Sequence, residues 1–586
     1  MPRGAGGEDW AERAMMVMTR IWWWMVLLLG VTACGTLPRQ GAPVRPRPAV
    51  RTQGMAPAAA REGELMYQVL AGELAGHQKD FGQATRFYLE AARDSTDPKV
   101  AQRAIRIALF ARDMEAALAA ARRWVVLAPD DLHAHEALAA LLINRGQYAA
   151  VVTELRFILA AKGGNEAAFR TLTRLLSRGK DKAAALGVMK RLVAQYDDRA
   201  EAHMAYSQLA VHAGRLKLAL AEIARAIRIR PAWPDAWVQQ ADVQLRLKQD
   251  AAARAGLERA VKRFPKERKL RLALARVYLE ERRLKQARRM FASLLEQDPK
   301  DSDALYSLGL LALQDQRYDA AASWFHRLLN VGARISDARY FLGRIEEERG
   351  HPAKAIAWYS RVAGGDYLLD SRIRIARLRA EGGDLAGARR LLEAMRQRNP
   401  RLGIRLYLVE GRLLEDQGRG GEAMALYDRL LANHPDNVEL LYARALLAVE
   451  QDDLERAEAD LRHIIAGHPD HVNALNALGY TLADRTHRYD EALVLIQRAL
   501  RLAPEEPAVL DSMGWVQYRL GHLKQALEYL RRAHARNDDG EIAAHLGEVL
   551  WRLDRRAEAR RVWREAARRH PRQKVLRATM RRFGVQ

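Results

Sequence analysis

Apolar residues along this chain fall at helical spacing in runs of about a dozen residues, and the runs come in pairs. Two stripes follow one another within residues 303–329: Leu305, Leu308, Ala312 and Leu313, then Ala321, Ala322, Phe325, Leu328 and Leu329. Spacings of three and four residues place such positions on one face of an α-helix. The pattern therefore predicts two amphipathic helices per unit and an all-α fold.

The paired stripes repeat at a fixed period. Alanine recurs at steps of 33 to 35 residues, with one double step of 68: Ala84, Ala117, Ala185, Ala219, Ala253, Ala287, Ala321, Ala355, Ala388, Ala423, Ala457, Ala492, Ala526 and Ala559. Nine prolines each follow one of these alanines by 10 to 14 residues: Pro129, Pro231, Pro265, Pro299, Pro400, Pro435, Pro469, Pro504 and Pro571. A unit of about 34 residues thus occurs about fifteen times.

Small residues mark the place where the two helices of a unit cross. Gly309 in a first helix and Ala321 in the second would let the backbones approach closely, with Tyr318 and Phe325 filling the wider gaps on either side. Proline then ends the second helix, because it lacks an N–H and its ring clashes with the preceding turn. No unit can bury both stripes alone, so the pattern predicts stacked units, an α-solenoid.

This spacing resembles the tetratricopeptide repeat (TPR) over residues 64–571. The resemblance is strongest in residues 540–571, at Leu546, Gly547, Ala559, Trp563, Ala566 and Pro571. It implies a right-handed superhelix of about fifteen TPR helix pairs. Gly163-Gly164 and Gly364-Gly365 stand near expected closing prolines, where they mark either bends in the superhelix or ordinary helix C-caps.

The N-terminus resembles that of a bacterial lipoprotein. Arg20 precedes an apolar run, residues 21–30, that is too short for a comfortable membrane span. The run ends in Val31-Thr32-Ala33-Cys34, which resembles the lipobox, and this implies a diacylglycerol on Cys34, the only cysteine. Gly35 is not the aspartate that retains lipoproteins at the inner membrane, so the resemblance favours the outer membrane, facing the periplasm. Translation starts at Met1 or at Met15, Met16 or Met18.

Four segments follow from these patterns: a signal peptide (1–33), a lipidated cysteine with a flexible Pro/Arg/Ala linker (34–63), the TPR array (64–571) and a C-terminal capping helix with a tail (572–586). The linker lacks a helical period and enough apolar residues to order itself. The capping helix, from about 574 to 582, is basic and weakly apolar. Self-association through terminal units stays open.

The formal charge of +24 invites a nucleic-acid interpretation. However, 80 of the 96 basic residues are arginine. The surplus is spread through nearly every unit, with modest clusters at residues 552–561 and at Arg568-Arg569, and this favours a solvated face without nucleic-acid binding. Should the basic C-terminus bind an anion, lipopolysaccharide, peptidoglycan carboxylates or an acidic protein fit better than DNA.

The chain carries no sequence motif of catalysis or cofactor binding. It has no phosphate-binding glycine loop, no nucleophile elbow, no metalloprotease helix and no cysteine pair. His463, His468 and His471 resemble a metal cluster, but His434, His468 and His570 each precede a closing proline, where a histidine ring satisfies a helix C-terminus. We therefore predict no metal, no cofactor and no enzymatic activity.

In the TPR family the first helix of each unit lines the concave face, and its second, fifth, ninth, twelfth and thirteenth places commonly contact a bound protein. This chain holds aromatic, arginine and other polar residues at two of these places: Tyr306, Tyr340, Tyr442, Asn476 and Asp511 at the fifth place, and Arg344, Arg412, Tyr480 and Trp515 at the ninth. Aromatic and arginine side chains are favoured in protein recognition. The alternative is that the tyrosines pack against a neighbouring unit.

Together, these features resemble the long TPR lipoproteins of proteobacteria, which include the adaptor of a periplasmic carboxyl-terminal processing protease. The resemblance implies a non-catalytic scaffold that docks such a protease and presents peptidoglycan hydrolases to it, raising their effective concentration. The alternatives are a scaffold for exopolysaccharide secretion or pilus assembly, and a peptidoglycan-acting enzyme.

Overall fold

The computed structural model describes residues 57–571 and 573–585. The predicted signal peptide, Cys34, Gly35 and most of the predicted linker lie outside this part of the chain. The described part is built of α-helices and one 3-10 turn, Pro400–Leu402, with no strand. Its helices include none long and apolar enough to cross a membrane.

Within residues 57–571 and 573–585, thirty-one α-helices follow one another, and the odd-numbered helices from α1 to α29 are the first of each pair. In chain order they are α1 (Pro57–His77), α2 (Phe81–Asp94), α3 (Pro98–Phe110), α4 (Met114–Leu127), α5 (Leu132–Asn144), α6 (Tyr148–Ala161), α7 (Glu166–Ser177), α8 (Lys182–Val193), α9 (Ala200–His212), α10 (Leu216–Ile229), α11 (Pro234–Arg246), α12 (Asp250–Arg263), α13 (Arg268–Glu280), α14 (Leu284–Gln297), α15 (Ser302–Gln314), α16 (Tyr318–Val331), α17 (Ile335–Glu348), α18 (Pro352–Ser360), α19 (Leu368–Glu381), α20 (Leu385–Arg398), α21 (Gly403–Asp416), α22 (Gly420–Asn433), α23 (Val438–Glu450), α24 (Leu454–Gly467), α25 (Val472–Arg485), α26 (Tyr489–Leu502), α27 (Pro507–Arg519), α28 (Leu523–Arg536), α29 (Gly540–Arg552), α30 (Arg556–Arg569) and α31 (Lys574–Arg582). The all-α class and the fifteen helix pairs are confirmed.

The first pair begins earlier than the sequence pattern indicates. Helix α1 starts at Pro57, inside the segment 34–63 assigned to the linker. Proline suits the first position of a helix because the N–H it lacks would have no intrahelical partner, and Ala59 and Ala60 are strong helix formers. The apolar period from which the array was predicted begins only at Leu65 and Met66. The first two turns of α1 lack this period, so they were assigned to the linker.

The described chain forms two compact units, residues 57–308 and 309–585. In the first, one core of buried side chains runs from Ala75 to Val243. In the second, one core runs from Ala376 to Val516, and another occupies the C-terminal end from Ala526 to Val585. Each core is a continuous series of packed stripes, as expected when no pair can bury its apolar faces alone.

The crossing of two helices within a pair is visible at the eighth or ninth residue of the first helix. At six glycines in residues 309–585, four at the eighth and two at the ninth residue of the first helix, an added Cβ would lie only 2.0 to 2.7 Å from a large side chain of the second helix. The pairs are Gly309 with Phe325, Gly343 with Tyr359, Gly411 with Tyr427, Gly479 with Ile496, Gly514 with Leu530 and Gly547 with Trp563. The predicted close approach is confirmed, but Phe325 covers Gly309 directly and does not fill a gap beside it. The absent Cβ leaves room for the whole ring.

The second helices end where the sequence predicts, next to the closing prolines. All nine closing prolines stand two residues after the last residue of a second helix. His434, His468 and His570 are the C-cap residues at three of these ends, as predicted. The turn from first to second helix needs a left-handed residue, and non-glycine residues such as Lys248 (φ 59°) and Arg282 (φ 58°) supply it in several pairs.

The two glycine pairs differ from each other. Gly163 (φ 66°) and Gly164 (φ 58°) close α6 in a Schellman motif, because the Gly164 N–H donates to the Leu159 carbonyl at 2.8 Å. The C-cap interpretation is therefore confirmed there. Gly364 and Gly365 lie in the connection after α18, which ends early at Ser360, so they cap no helix.

Candidate protein-binding surfaces

Helix α1 presents four large apolar side chains to solvent. Met66, Tyr67, Leu70 and Leu74 are each 60 to 66 % exposed. The four-residue spacing of Met66, Leu70 and Leu74 places them in one line along the helix. We call these four residues the α1 apolar face; the Tyr67 ring packs edge-on against Phe87, with ring centres 6.1 Å apart, and the face otherwise stays exposed among the described residues.

The opposite side of α1 is packed. An added Cβ on Gly72 would lie 2.7 Å from the ring of Tyr88 in α2, and Ala75 is buried. Arg103 of α3 donates to both carboxylate oxygens of Glu73, at 3.0 and 2.9 Å, and the Tyr88 hydroxyl donates to the same carboxylate. The Tyr88 hydrogen bond and Arg103 hold the pKa of Glu73 below its usual value. Helix α1 is thus fixed to its neighbours while its apolar face stays open.

In the unit 309–585, the predicted groove residues Tyr340 and Arg344 lie in a buried ionic cluster. The Tyr340 ring stacks on Tyr367, with ring centres 4.3 Å apart, and its hydroxyl donates to Asp370. Arg374 of α19 donates to Asp370 at 2.9 Å and to Glu347 of α17 at 3.2 Å. Tyr340 therefore packs against the following pair, which is the alternative that the sequence left open.

Arg344 is less completely satisfied than its neighbours. Its side chain is 13 % exposed, and its closest carboxylate oxygen, Oε1 of Glu348, lies 3.5 Å from Nη2. The Nε of Arg344 is buried without a hydrogen-bond partner among the described residues. The Oδ1 of Asn476, another predicted groove residue, is in the same condition. Buried polar atoms are normally paired, so both are positions at which a bound molecule could supply the missing hydrogen bond.

A second buried cluster joins the first helices of three successive pairs, α25, α27 and α29. The Tyr480 hydroxyl donates to Oε1 of Glu541 at 3.0 Å and lies 3.4 Å from Nε2 of His545. The Nδ1 of His545 lies 3.0 and 3.1 Å from the two carboxylate oxygens of Asp511. Trp515 stacks on the His545 ring at 4.2 Å. Three predicted groove residues, Tyr480, Asp511 and Trp515, therefore meet around one histidine.

His545 is a cation at neutral pH in this setting. Burial alone would lower its pKa, but the charge and hydrogen bond of Asp511, with Glu541 and Asp484 nearby, raise the pKa to about 9. Burial raises the pKa of Glu541 above its usual range, against the opposing charge of His545. The result is an imidazolium held between carboxyl groups inside the C-terminal end of the array.

The other predicted groove residues stand apart from these clusters. Tyr306 is buried in the unit 57–308, whereas Tyr442 is half-buried with its ring 6.2 Å from His471. Arg412 is exposed and donates to Glu415 of its own helix at 3.0 Å. Tyr306, Tyr340, Asp511 and Trp515 are at most 7 % exposed. Contact of the nine residues with a partner stays a prediction.

Sequence reasoning missed the residues that hold these clusters together. His545 is the sixth residue of its helix, which is not a contact place of the family. Glu541 is the second residue of its helix and Asp370 the third residue of its own, but residues were predicted at the fifth and ninth places alone. No spacing rule links Tyr480 to Glu541, which is 61 residues away. Among residues 57–571 and 573–585, no three histidine, cysteine or acidic side chains form a group that could hold a metal ion.

Sequence comparison supplies close matches along most of the chain. One tetratricopeptide-repeat family model matches residues 170–236, 272–334, 325–367 and 442–507, and a second matches residues 234–277 and 404–447. A TPR repeat-containing protein of Pseudomonas aeruginosa is 36 % identical over 485 residues, covering 83 % of this chain and 82 % of that protein. The cellulose synthase operon protein C of Xanthomonas axonopodis pv. citri is 41 % identical over 107 residues, covering 18 % of this chain and 7 % of that protein.

Solved structures are similar to part or to most of the chain. A thermophilic TPR protein of Thermus thermophilus shares 25 % identity, with a TM-score of 0.28, over 29 % of this chain and 94 % of its own. Yeast Tom70 shares 13 % identity, with a TM-score of 0.30, over 89 % of this chain and 95 % of its own.

Proposed function

This chain belongs to the tetratricopeptide-repeat family, and on that basis we propose that it is a non-catalytic adaptor that holds protein partners together. The fold supports a protein-binding role, because stacked helix pairs present long surfaces and such repeat proteins generally act as scaffolds. The more specific proposal is an adaptor at the outer membrane that docks a periplasmic carboxyl-terminal processing protease and presents cell-wall hydrolases to it. Resemblance to proteobacterial TPR lipoproteins supports these partners.

The observation that carries the proposal is the α1 apolar face. The largest contiguous apolar patch on a soluble protein is often its site of interaction. Glu73 and Arg103 fix α1 in place, so a partner would meet a surface that is already ordered and would lose little entropy on binding. We assign the α1 apolar face to the protease, and the groove positions Arg344 and Asn476, whose buried polar atoms lack a described hydrogen-bond partner, to the second protein.

The proposed attachment to the membrane depends on a lipid on Cys34. We expect a Cys34→Ala variant to lose its lipid and to move from the outer-membrane fraction to the soluble periplasm, because no other cysteine is available. Fractionation with immunodetection, together with mass measurement of the N-terminal peptide, checks this. A Cys34→Ala variant that stays with the membrane, or a wild-type peptide without added lipid mass, would contradict the tether.

Docking is tested by exchanging apolar side chains of α1 for charged ones. We expect Met66→Glu, Leu70→Glu and Leu74→Glu together to reduce recovery of the protease with the tagged chain by at least about tenfold, because replacing a residue at the centre of an interface costs about 2 kcal/mol or more. Co-purification from detergent-solubilised envelopes, with partners identified by mass spectrometry, measures this. Val126→Glu, Leu446→Glu and Val494→Glu change three exposed but scattered apolar residues and serve as the matched control.

Two outcomes would contradict the docking proposal. One is recovery of no carboxyl-terminal processing protease with the wild-type chain. The other is equal recovery by the α1 variant and its control. If proteins of exopolysaccharide synthesis were recovered instead, the second candidate function, a secretion scaffold, would replace the first. The match to the cellulose synthase operon protein favours that alternative, although it spans only 7 % of that protein.

A further inference from the structure

Positive charge is concentrated at the C-terminal end of the array. Residues 552–582 hold thirteen arginines and lysines against three acidic residues, an excess of ten, whereas the whole chain has an excess of 24. A bias of composition alone would spread the charge evenly. The excess in this short segment is therefore a local feature of α30, α31 and their connections.

Most of these cations point into solvent. Twelve of the thirteen are described, and all twelve are exposed. Some form ion pairs, such as Arg556 with Asp554 at 3.0 Å and Arg582 with Glu548. Six have neither an ion pair nor a side-chain hydrogen bond with a described residue, whereas Arg552 donates to the Tyr518 hydroxyl at 3.2 Å; the six are Arg560, Arg561, Arg568, Lys574, Arg577 and Arg581. We call these six the C-terminal basic surface.

Aromatic and apolar side chains lie beside the charges. Trp551 and Phe583 are half-buried with ring centres 5.5 Å apart, and the guanidinium carbons of Arg556 and Arg560 lie 5.5 and 5.4 Å from the centre of the Trp551 ring. Val575 of α31 is 39 % exposed between Lys574 and Arg577. The surface thus combines unpaired cations with an indole, a phenyl ring and an aliphatic side chain.

We propose that the C-terminal basic surface binds a bilayer that contains anionic phospholipid. Arginine forks fit phosphate oxygens, and tryptophan and phenylalanine partition to the boundary between head groups and acyl chains. The amphipathic α31 buries Leu576 and Met580 against the array, so its exposed charged side with Val575 would lie on the membrane surface. A nucleic acid would also form ionic contacts with these cations, but its binding would not explain the exposed apolar side chain of Val575.

The expected strength of this contact follows from the number of charges. Each lysine or arginine near an anionic membrane adds to the attraction, which falls off within a Debye length of about 10 Å at 0.1 M salt. The contact is therefore reversible and sensitive to salt. It needs no lipid on Cys34, so its failure would leave the proposed adaptor function untouched.

The test uses the chain from residue 34 to 586 with Cys34→Ser, which keeps every described helix and cannot be lipidated. Binding is measured by co-sedimentation with vesicles of phosphatidylcholine, with and without phosphatidylglycerol. We expect binding only to the anionic vesicles, weakened by added salt. Changing the six residues of the C-terminal basic surface to glutamine is expected to lower the partition coefficient by more than about tenfold.

A matched control removes six exposed cations without described ion pairs elsewhere in the same unit: Arg390, Arg398, Arg401, Arg405, Arg429 and Arg501. It has the same net charge as the test variant, so retained binding by the control supports the location of the site. Equal loss in both variants, or no binding of the parent chain to anionic vesicles, would overturn the proposal. Tighter binding to a DNA duplex than to vesicles at equal salt would overturn it in favour of a nucleic-acid partner. Circular dichroism confirms that each variant is folded.

Discussion

Replacing His545 by leucine is expected to destabilise the C-terminal pairs by about 3 to 5 kcal/mol. The variant leaves the Asp511 carboxylate buried without the cation that lies 3.0 Å from it, and an unpaired buried charge is costly. It also removes the ring on which Trp515 stacks. Because repeat proteins unfold in segments, the loss should appear in hydrogen exchange of α25 to α29 before it appears elsewhere.

A matched control for this variant is His463→Leu. His463 also pairs with an aspartate, Asp436 at 2.8 Å, but both side chains are at least half exposed. Exposed ion pairs contribute about 0 to 1 kcal/mol, so the control should change exchange rates very little. Equal effects of the two substitutions would show that the buried cluster does not stabilise the C-terminal pairs.

The same cluster gives stability a definite dependence on pH. The pKa of His545 is about 9 in the folded chain and 6.5 without its partners, so the folded state binds the proton more tightly. Its contribution, about 3 kcal/mol at about 1.4 kcal/mol per pH unit, is fully present below pH 6.5 and is lost as pH rises through 9. The raised pKa of Glu541 also lowers the stability of the folded state as pH rises, but at lower pH values, because ionisation of Glu541 disfavours the folded state. Hydrogen exchange of α29 at fixed pH values should show this fall in the wild type and a smaller one in His545→Leu.

The second large effect is expected from Trp563→Ala. Trp563 is fully buried, its ring centre lies 5.4 Å from that of Phe583, and its indole N–H donates to the Ala544 carbonyl at 3.2 Å. Removing a tryptophan from a packed core costs about 3 to 5 kcal/mol, because it loses transfer energy and leaves a cavity. Urea unfolding followed by circular dichroism measures the loss, and Trp551→Ala, at a half-buried site of the same cluster, should cost less.

A compensating change makes this prediction specific. An added Cβ on Gly547 would lie 2.0 Å from the indole nitrogen of Trp563, so Gly547→Leu alone should destabilise by overpacking, by about 1 to 3 kcal/mol. In the Trp563→Ala background the leucine would occupy the cavity, and we expect the double variant to be more stable than either single variant. Additive losses would mean that the two residues do not share the crossing.

The helix pairs and their limits were predictable from the sequence because they depend on local chemistry. The period of apolar residues identifies each helix, and the missing N–H of proline ends it, so all nine closing prolines stand at the predicted place. The predicted start of α1 was wrong because its first two turns carry helix formers without the apolar period. The left-handed backbone conformation of Lys248 and Arg282 was not predictable either, because glycine is the usual sequence signal for such a conformation.

The candidate surfaces depended more on contacts between distant residues. The repeat pattern identified Tyr340, Arg344, Tyr480 and Trp515 as candidate groove residues. It did not indicate whether each side chain would face a partner or a neighbouring helix. Burial of Tyr340 and Trp515 follows from how first helices of different pairs approach one another. A period of about 34 residues repeats the helices without determining that approach.

The sequence by itself determined the class of fold, the number of pairs and the small residues at which paired helices cross, because each rests on spacing within one unit. Tertiary structure alone decided that Tyr480 meets Glu541, that His545 is enclosed by Asp511 and Trp515, and that one side of α1 stays largely exposed among the described residues. The physical reason is that burial and charge pairing depend on distances between neighbouring helix pairs, and these distances arise only when the pairs are packed together.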